Sequence, residues 1–175
     1  MIVIKALTPE QARACIAALS DLLRDAVESG ASVGFIPPIS DHEIHNYWMG
    51  VLGEMDAGRR ILLVALASGE LVGAVQVDPA PLPNASHRAE VMKLFVYRRV
   101  RRQGIGRSLM AAAESAAREI GRTLLILNTR QGDVSENLYV QMGYTRVGSI
   151  PRYARSADGT LRDTVFFYKE IPPQE

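Results

Sequence analysis

The sequence has one cysteine, no long apolar run and almost no net charge. The single thiol, Cys15, excludes an internal disulfide and fits a reducing compartment. The leading apolar residues of MIVIKALTPE are fewer than the roughly 7–15 that a secretory signal needs. No segment approaches the roughly 18 apolar residues of a membrane span. These absences predict a cytoplasmic protein with no membrane segment and no disulfide framework.

The composition is that of an average globular protein. Of 175 residues, 47% are hydrophobic and 22% charged, with a net charge of +1. The length is typical of one domain, so we expect a single domain over residues 1–175. Five arginines lie in one short segment, RRVRRQGIGRSL (98–109), so the remainder is slightly acidic. A generally basic nucleic-acid-binding protein is therefore not expected.

Hydrophobic periodicity and capping residues predict the order βααβββαβαββ. We expect strands at 1–7, 60–66, 71–78, 89–97, 123–127, 144–153 and 164–169. Helices are expected from N-cap Thr8 to Gly30, from N-cap Ser40 or Asp41 to about Ala57, from the glycine segment to about Ile120, and from N-cap Ser135 to Met142. The predicted fold is mixed α/β, with a central, twisted, mixed and mostly antiparallel sheet flanked by helices on both faces.

The segment 98–109 lies between a predicted strand and a predicted helix, an arrangement that suits phosphate binding. Gly104 and Gly106 allow close approach to the backbone, and the first amides of a helix are free to bind an anion. A Rossmann motif needs a third glycine where Leu109 stands, and a P-loop needs Gly-Lys-Ser/Thr, which is absent. A basic helix start without any ligand remains the alternative on this segment alone.

Two motifs together carry a resemblance to a known family. Arg101-x-x-Gly104-x-Gly106, directly after KLFV, resembles the acetyl-CoA signature of the GNAT N-acetyltransferases. Downstream, NLYVQMGYTRVG resembles the second hallmark of that superfamily. The resemblance covers nearly the whole chain and implies transfer of an acetyl group from acetyl-CoA to a primary amine of a small molecule. A protein or peptide acceptor and a non-catalytic coenzyme A-binding module are the alternatives, and a homodimer formed through the C-terminal strands is compatible with the family.

A narrower likeness links GASVGF, RAEVMKL and GYTRVGSIPRY to the tabtoxin resistance acetyltransferases. Asn128 stands where that group has an aspartate, so tabtoxin-like β-lactams are not expected as acceptors.

The resemblance also implies where the cofactor binds. The pantetheine arm would lie between two splayed strands, along the main chain of the KLFV strand, and the diphosphate would lie on the amides of the glycine segment. The implied cofactor-binding residues are Leu94, Phe95, Val96, Arg101, Arg102, Gln103, Gly104, Ile105, Gly106, Arg107, Asn128 and Ser135.

Acetyl transfer to an amine requires the loss of a proton, since an ammonium of pKa about 10.4 is neutral only about once in 2,500 molecules at pH 7. Glu90 is the candidate general base, directly or through water; alternatively it is a solvated charge beside Arg88. The resemblance implies that Tyr139 protonates the leaving thiolate. The alternative for Tyr139 is a helix tyrosine that packs on the sheet.

The acceptor side is the least constrained by the sequence. Phe35, Trp48 and Asn128 are the candidate substrate-binding residues, although the aromatic side chains are equally compatible with the core. No metal site is expected, because His42 and His45 do not have the H-E-x-x-H spacing and no third ligand is evident.

Overall fold

A computed structural model describes residues 1–173 of the chain. Seven strands form one sheet in the order β1-β2-β3-β4-β5-β7-β6. The strands are β1 (Ile2–Ala6), β2 (Ile61–Ala67), β3 (Glu70–Pro79), β4 (Arg88–Val96), β5 (Leu124–Arg130), β6 (Thr145–Arg155) and β7 (Leu161–Glu170). The helices are α1 (Pro9–Ala14), α2 (Ile16–Glu28), α3 (Asp41–Asp56), α4 (Ile105–Glu119) and α5 (Ser135–Gln141). Only the β4–β5 pair is parallel in this sheet, so the predicted mixed, mostly antiparallel fold is confirmed.

The helix starts follow from local capping chemistry. Thr8 forms a capping box with Gln11, and Ser40 forms one with Glu43, so two amides at the start of α1 and two at the start of α3 have side-chain partners. The β2–β3 hairpin turns at Ser68 and Gly69, both with positive φ. Both α3 and this hairpin were predicted from the sequence.

Two hydrophobic cores lie on opposite faces of the sheet. On one face α4 and α5 pack through residues such as Leu109 and Tyr139. On the other face α1, α2 and α3 pack through residues such as Leu22 and Trp48. The prediction of helices on both faces is confirmed. Within residues 1–173, no helix is both long and apolar enough to cross a membrane.

The structure corrects three sequence-based predictions of local structure. The helix predicted from Thr8 to Gly30 is broken at Cys15, whose φ of −109° and ψ of 19° depart from helical values. As a result α1 packs on α3, whereas α2 packs on α3 and also contacts β3 and β4. Ser135 is not an N-cap but the first residue of α5: Val134 occupies the N-cap position, and the Ser135 hydroxyl contacts that of Thr129. β5 and β7 are longer than predicted, because β7 pairs with β5 on one side and with β6 on the other. β5 continues to Arg130, and β7 begins at Leu161.

A bulge in β4 separates this strand from β5. Gln76 pairs with Met92 and Ala74 with Phe95, so β4 holds one extra residue there, and Lys93 adopts a φ of +56°. The parallel β4–β5 pairs run only from Arg88↔Leu124 to Glu90↔Ile126, although both strands continue. The two strands therefore diverge beyond Glu90 and leave a gap in the middle of the sheet.

Candidate active site

The gap between β4 and β5 is lined by main-chain groups of β4. The Tyr97 amide donates to the Val72 carbonyl of β3 at 3.1 Å. Because the main-chain groups of successive strand residues point to opposite sides, those of Val96 and Leu94 point away from β3, into the gap. Phe95, predicted with them, turns its main chain to β3 and buries its ring in the core, so this residue does not line the gap.

Arg101 fixes the loop that leaves β4. Its Nε donates to the Val96 carbonyl at 3.0 Å, and its Nη2 lies 3.0 Å from the Ser29 hydroxyl at the end of α2. One of the two main-chain groups of Val96 thus already has a partner, and the Val96 amide is left to pair with a ligand. The first residue of the signature motif therefore acts here as a link between the loop and the gap.

The N-terminus of α4 presents a set of amides suited to a diphosphate. Gly104 is the N-cap with a φ of +81°, a conformation that glycine adopts without strain. The Ser108 amide donates back to the Gly104 carbonyl at 3.0 Å, so the amides of Ile105, Gly106 and Arg107 precede the first intrahelical bond. These amides, at the positive end of the α4 dipole, can bind a doubly charged phosphate group. The side chain of Ile105 is buried, so only its amide is available.

Most arginine side chains of the segment 98–109 have partners within the protein. Arg98 pairs with Asp25 at 2.9 Å, Arg99 pairs with Glu70, and Arg107 donates to Gln141 at 2.9 Å. Arg102 and Gln103 are exposed, and Arg102 has a φ of +63°. The backbone amides, rather than a free cluster of guanidinium groups, are therefore the main anion-binding feature.

Glu90 lies on β4 where the gap opens, half-buried on the face of α3. Burial raises the pKa of its carboxyl, the charge of Asp78 raises it further, and Arg60, Lys93 and Arg88 act in the opposite direction. The Asn128 amide nitrogen lies 3.4 Å from Glu90 Oε1. An asparagine at this position brings a donor to Glu90, whereas an aspartate would add another negative charge.

Tyr139 lies on α5, buried beside Tyr144 and Phe167, with ring centroids 6.0 and 5.7 Å away. Burial raises the pKa of its hydroxyl to about 12, against a smaller opposite effect of the Ser135 hydroxyl. The Tyr139 hydroxyl thus stays protonated at neutral pH. Ser135 itself is held by the Thr129 hydroxyl of β5 at 2.8 Å.

Glu90 and Tyr139 lie on opposite faces of the sheet. Ala89 and Val91, the neighbours of Glu90, belong to the same core as Tyr139, and side chains alternate along a strand. A group placed in the gap would therefore have the Glu90 carboxylate on one face of the sheet, while the protonated phenol of Tyr139 lies on the other face. This arrangement can take a proton from an incoming group and give one to a leaving group.

The loop that precedes α3 packs against the bulge of β4. Phe35 is half-buried and packs edge-on against Tyr47 at 5.3 Å between ring centroids. Lys93, in the bulge, donates to the Val33 carbonyl at 2.5 Å and has its Nζ 5.8 Å from the Phe35 ring centre. Burial lowers the pKa of this ammonium. A cleft of about 210 Å³ extends from this loop to the end of β6 and is lined in part by Phe35 and Arg130.

Trp48 is not available to a substrate. Its side chain is fully buried in the core beneath the sheet, because it lies on the face of α3 that packs inward with Ile44 and Leu52. The prediction of Trp48 as a substrate-binding residue is therefore wrong. His42 contacts Asn46 at 2.9 Å, and residues 1–173 contain no cluster of three potential metal-ligating side chains.

Sequence reasoning missed three polar residues close to Glu90. Asp78 is its cross-strand partner in β3, Arg60 pairs with Asp78, and Gln76 is fully buried. The buried Gln76 left a signal, since it is the one amide in the apolar stretch LVGAVQV. The pairing of Asp78 with Glu90 depends on the β3–β4 register, which the sequence does not specify.

Comparisons with known proteins agree with this geometry. The model of the acetyltransferase (GNAT) family matches residues 18–144. An uncharacterized N-acetyltransferase of the hisH-hisA intergenic region of Azospirillum brasilense is 35% identical over 115 residues, which are 65% of this chain and 67% of that protein.

Solved structures give the same fold. The ribosomal-protein-alanine N-acetyltransferase from Brucella melitensis is 25% identical, with a TM-score of 0.82 over 97% of this chain and 99% of that one. The acetyltransferase yncA from Salmonella typhimurium, solved with its cofactor acetyl-CoA, is 18% identical, with a TM-score of 0.80 over 99% and 95% of the two chains. With a divided sheet, a helix N-terminus suited to a diphosphate and a family match over most of its length, the chain belongs to the GNAT family of N-acetyltransferases and uses acetyl-CoA as its co-substrate.

Proposed function

We propose that this enzyme, a single domain over residues 1–175, transfers the acetyl group directly to a primary amine of a small molecule, with both reactants bound at once. The observation that carries the proposal is the placement of Glu90, where β4 leaves β5, and of Tyr139 on opposite faces of the sheet. Acetyl-CoA, when bound, supplies an activated thioester. The chain has to deprotonate the amine and protonate the thiolate.

The cofactor is held mainly by the backbone. The main chain of Leu94 and Val96 pairs with the pantetheine arm, and the amides from Arg102 to Arg107 bind the diphosphate. Each hydrogen bond to a charged oxygen contributes about 1.5–3 kcal/mol, so a few such bonds give useful affinity. Asn128 and Ser135 border the gap from β5 and α5.

Glu90 takes the proton from the acceptor nitrogen, directly or through one water, as this nitrogen bonds to the thioester carbon. The carbon–sulfur bond breaks, and the Tyr139 hydroxyl donates its proton to the departing sulfur. Phe35 and Asn128 contact the acceptor on the Glu90 face. Because the pKa of Glu90 is raised, this base becomes protonated at a higher pH than an ordinary glutamate. As the pH is lowered, the rate of transfer therefore begins to fall at a higher pH.

Glu90→Gln tests the role of the base. We expect transfer at neutral pH to fall by about 10²–10⁴-fold, since the amide accepts no proton, while acetyl-CoA affinity stays near the wild-type value. The measurement is the pH dependence of coenzyme A release with an amine identified by screening. Glu119→Gln, an exposed glutamate at the end of α4, is the matched control. Wild-type turnover of Glu90→Gln at every pH would remove the base assignment.

A peptide acceptor is the second candidate, favoured by the similarity to the Brucella melitensis enzyme, whose name gives a ribosomal-protein alanine as its acceptor. The same screen separates the two candidates if it includes both small amines and peptides with an N-terminal alanine. Turnover confined to the peptides would replace the small-molecule proposal. The likeness to the tabtoxin resistance acetyltransferases stays a prediction, and Asn128 argues against β-lactam acceptors.

A further inference from the structure

Two carboxylates face each other where the gap opens. Asp78 in β3 and Glu90 in β4 are direct cross-strand partners, and partners in such a pair project from the same face. Like charges directly opposite each other destabilise a sheet. Glu90 is half-buried and about a third of the Asp78 side chain is exposed, so solvent screens their repulsion only in part.

Arg60 is held against Asp78 by a buried chain of polar groups. Its Nη2 lies 3.3 Å from Asp78 Oδ2, and its Nη1 donates to the Gln76 side-chain oxygen at 2.7 Å. The Gln76 amide donates in turn to the Tyr47 hydroxyl at 2.7 Å, and Gln76 is fully buried. This chain connects β2, β3 and α3 and fixes the guanidinium beside Asp78.

We propose that Asp78 and Arg60 are positioning residues for Glu90: Arg60 holds the Asp78 side chain in place opposite Glu90, and the Asp78 charge strengthens the hold of Glu90 on the proton that it takes from the acceptor amine. This inference rests on the proposed role of Glu90 as the base. It assigns a function to a charge pair that is otherwise unfavourable in the sheet.

The other charges around Glu90 lower its pKa, and the carboxylate of Asp78 acts against them. Three cations act on Glu90: Arg60, directly before β2, and Arg88 and Lys93 from β4. From β5, Asn128 brings a neutral amide to within 3.4 Å of the carboxylate. The cations alone would make Glu90 a weaker base, whereas burial and Asp78 outweigh them and leave its pKa raised.

The test is a direct titration of Glu90 in the full-length protein, which needs no acceptor. The side-chain carboxyl carbons of glutamate are labelled with ¹³C, and the Glu90 signal is assigned as the one missing from Glu90→Gln. We expect Asp78→Asn to move the Glu90 midpoint to lower pH and Arg60→Gln to move it to higher pH. Glu119→Gln, which removes one remote charge, should leave it unchanged.

The two variants separate an electrostatic effect from a structural one. Both remove the Arg60–Asp78 ion pair, so a merely structural role would move the midpoint in the same direction in both. The acidic limb of the kcat/KM profile should move with the midpoint, so that Asp78→Asn keeps a several-fold larger share of its plateau activity at low pH.

Equal midpoints in Asp78→Asn and the wild type, or shifts of one sign in both variants, would overturn the inference. If this happens while Glu90→Gln is inactive, the base assignment stands and only the role of Asp78 and Arg60 falls. If Glu90→Gln is fully active, the proposed function of Glu90 fails, and with it the catalytic meaning of the pair.

Discussion

Tyr139→Phe is expected to slow acetyl transfer by about 10²–10⁴-fold while acetyl-CoA affinity changes little. The phenol is buried and its pKa is about 12, so it is a proton donor throughout the neutral range. Without it, the thiolate of coenzyme A leaves with its full charge beside an apolar cluster. The measurement is single-turnover transfer, together with acetyl-CoA binding to the same variant.

Tyr144→Phe is the matched control for this variant. Tyr144 is also buried, its ring centroid lies 6.0 Å from that of Tyr139, and the substitution removes the same hydroxyl group. We expect it to transfer the acetyl group at a rate close to the wild type. An unchanged rate in Tyr139→Phe, or an equal loss in both variants, would contradict the assignment of Tyr139 as the acid.

Gly104→Val is expected to weaken acetyl-CoA binding by about 100-fold or more. Gly104 has a φ of +81°, which a β-branched residue adopts only with strain, so the amides that follow it would change direction. Each charged hydrogen bond that is lost removes about 1.5–3 kcal/mol, and one or two such losses give this change in affinity. Calorimetric titration of the folded variant measures it.

Gly58→Val separates this effect from general backbone strain. Gly58 follows α3 with a φ of +68°, and a β-carbon there would have no neighbouring atom within 4 Å, as at Gly104. We expect both variants to lose about 1–2 kcal/mol of stability, because a left-handed conformation strains a residue with a β-carbon. Only Gly104→Val should lose acetyl-CoA affinity. Equal affinities of the two variants would show that the α4 amides are not the diphosphate site.

The order of the elements and the conformation of the glycine segment were predictable because their signals are local. Capping residues such as Ser40 and the turn at Gly69 define the ends of elements within a few positions. The Gly104-x-Gly106 pattern likewise indicates the backbone conformation of the segment in which it lies, where Gly104 has a positive φ. By contrast, the burial of Trp48 depends on which face of α3 meets the sheet, and its sequence neighbours do not specify this.

The acceptor side was less predictable because it depends on long-range pairing. The bulge at Lys93 shifts the β3–β4 register and aims the strand away from β5, yet KLFV contains no glycine or proline to mark it. The Asp78–Glu90 pair lies on the other side of the bulge, in the register that also pairs Val77 with Val91. Arg60 reaches Asp78 only through the fold, so its role could be found only once the strands were aligned.

The most direct test of the cofactor site is a calorimetric titration of the purified wild-type protein with acetyl-CoA and, separately, with ADP. In the proposed site the α4 amides bind the diphosphate of either ligand, whereas only acetyl-CoA also occupies the gap between β4 and β5. We predict micromolar binding of acetyl-CoA, in the range of about −8 kcal/mol, and much weaker binding of ADP. Equal affinity for both ligands would mean that the gap contributes nothing, and no binding of acetyl-CoA would contradict the site altogether.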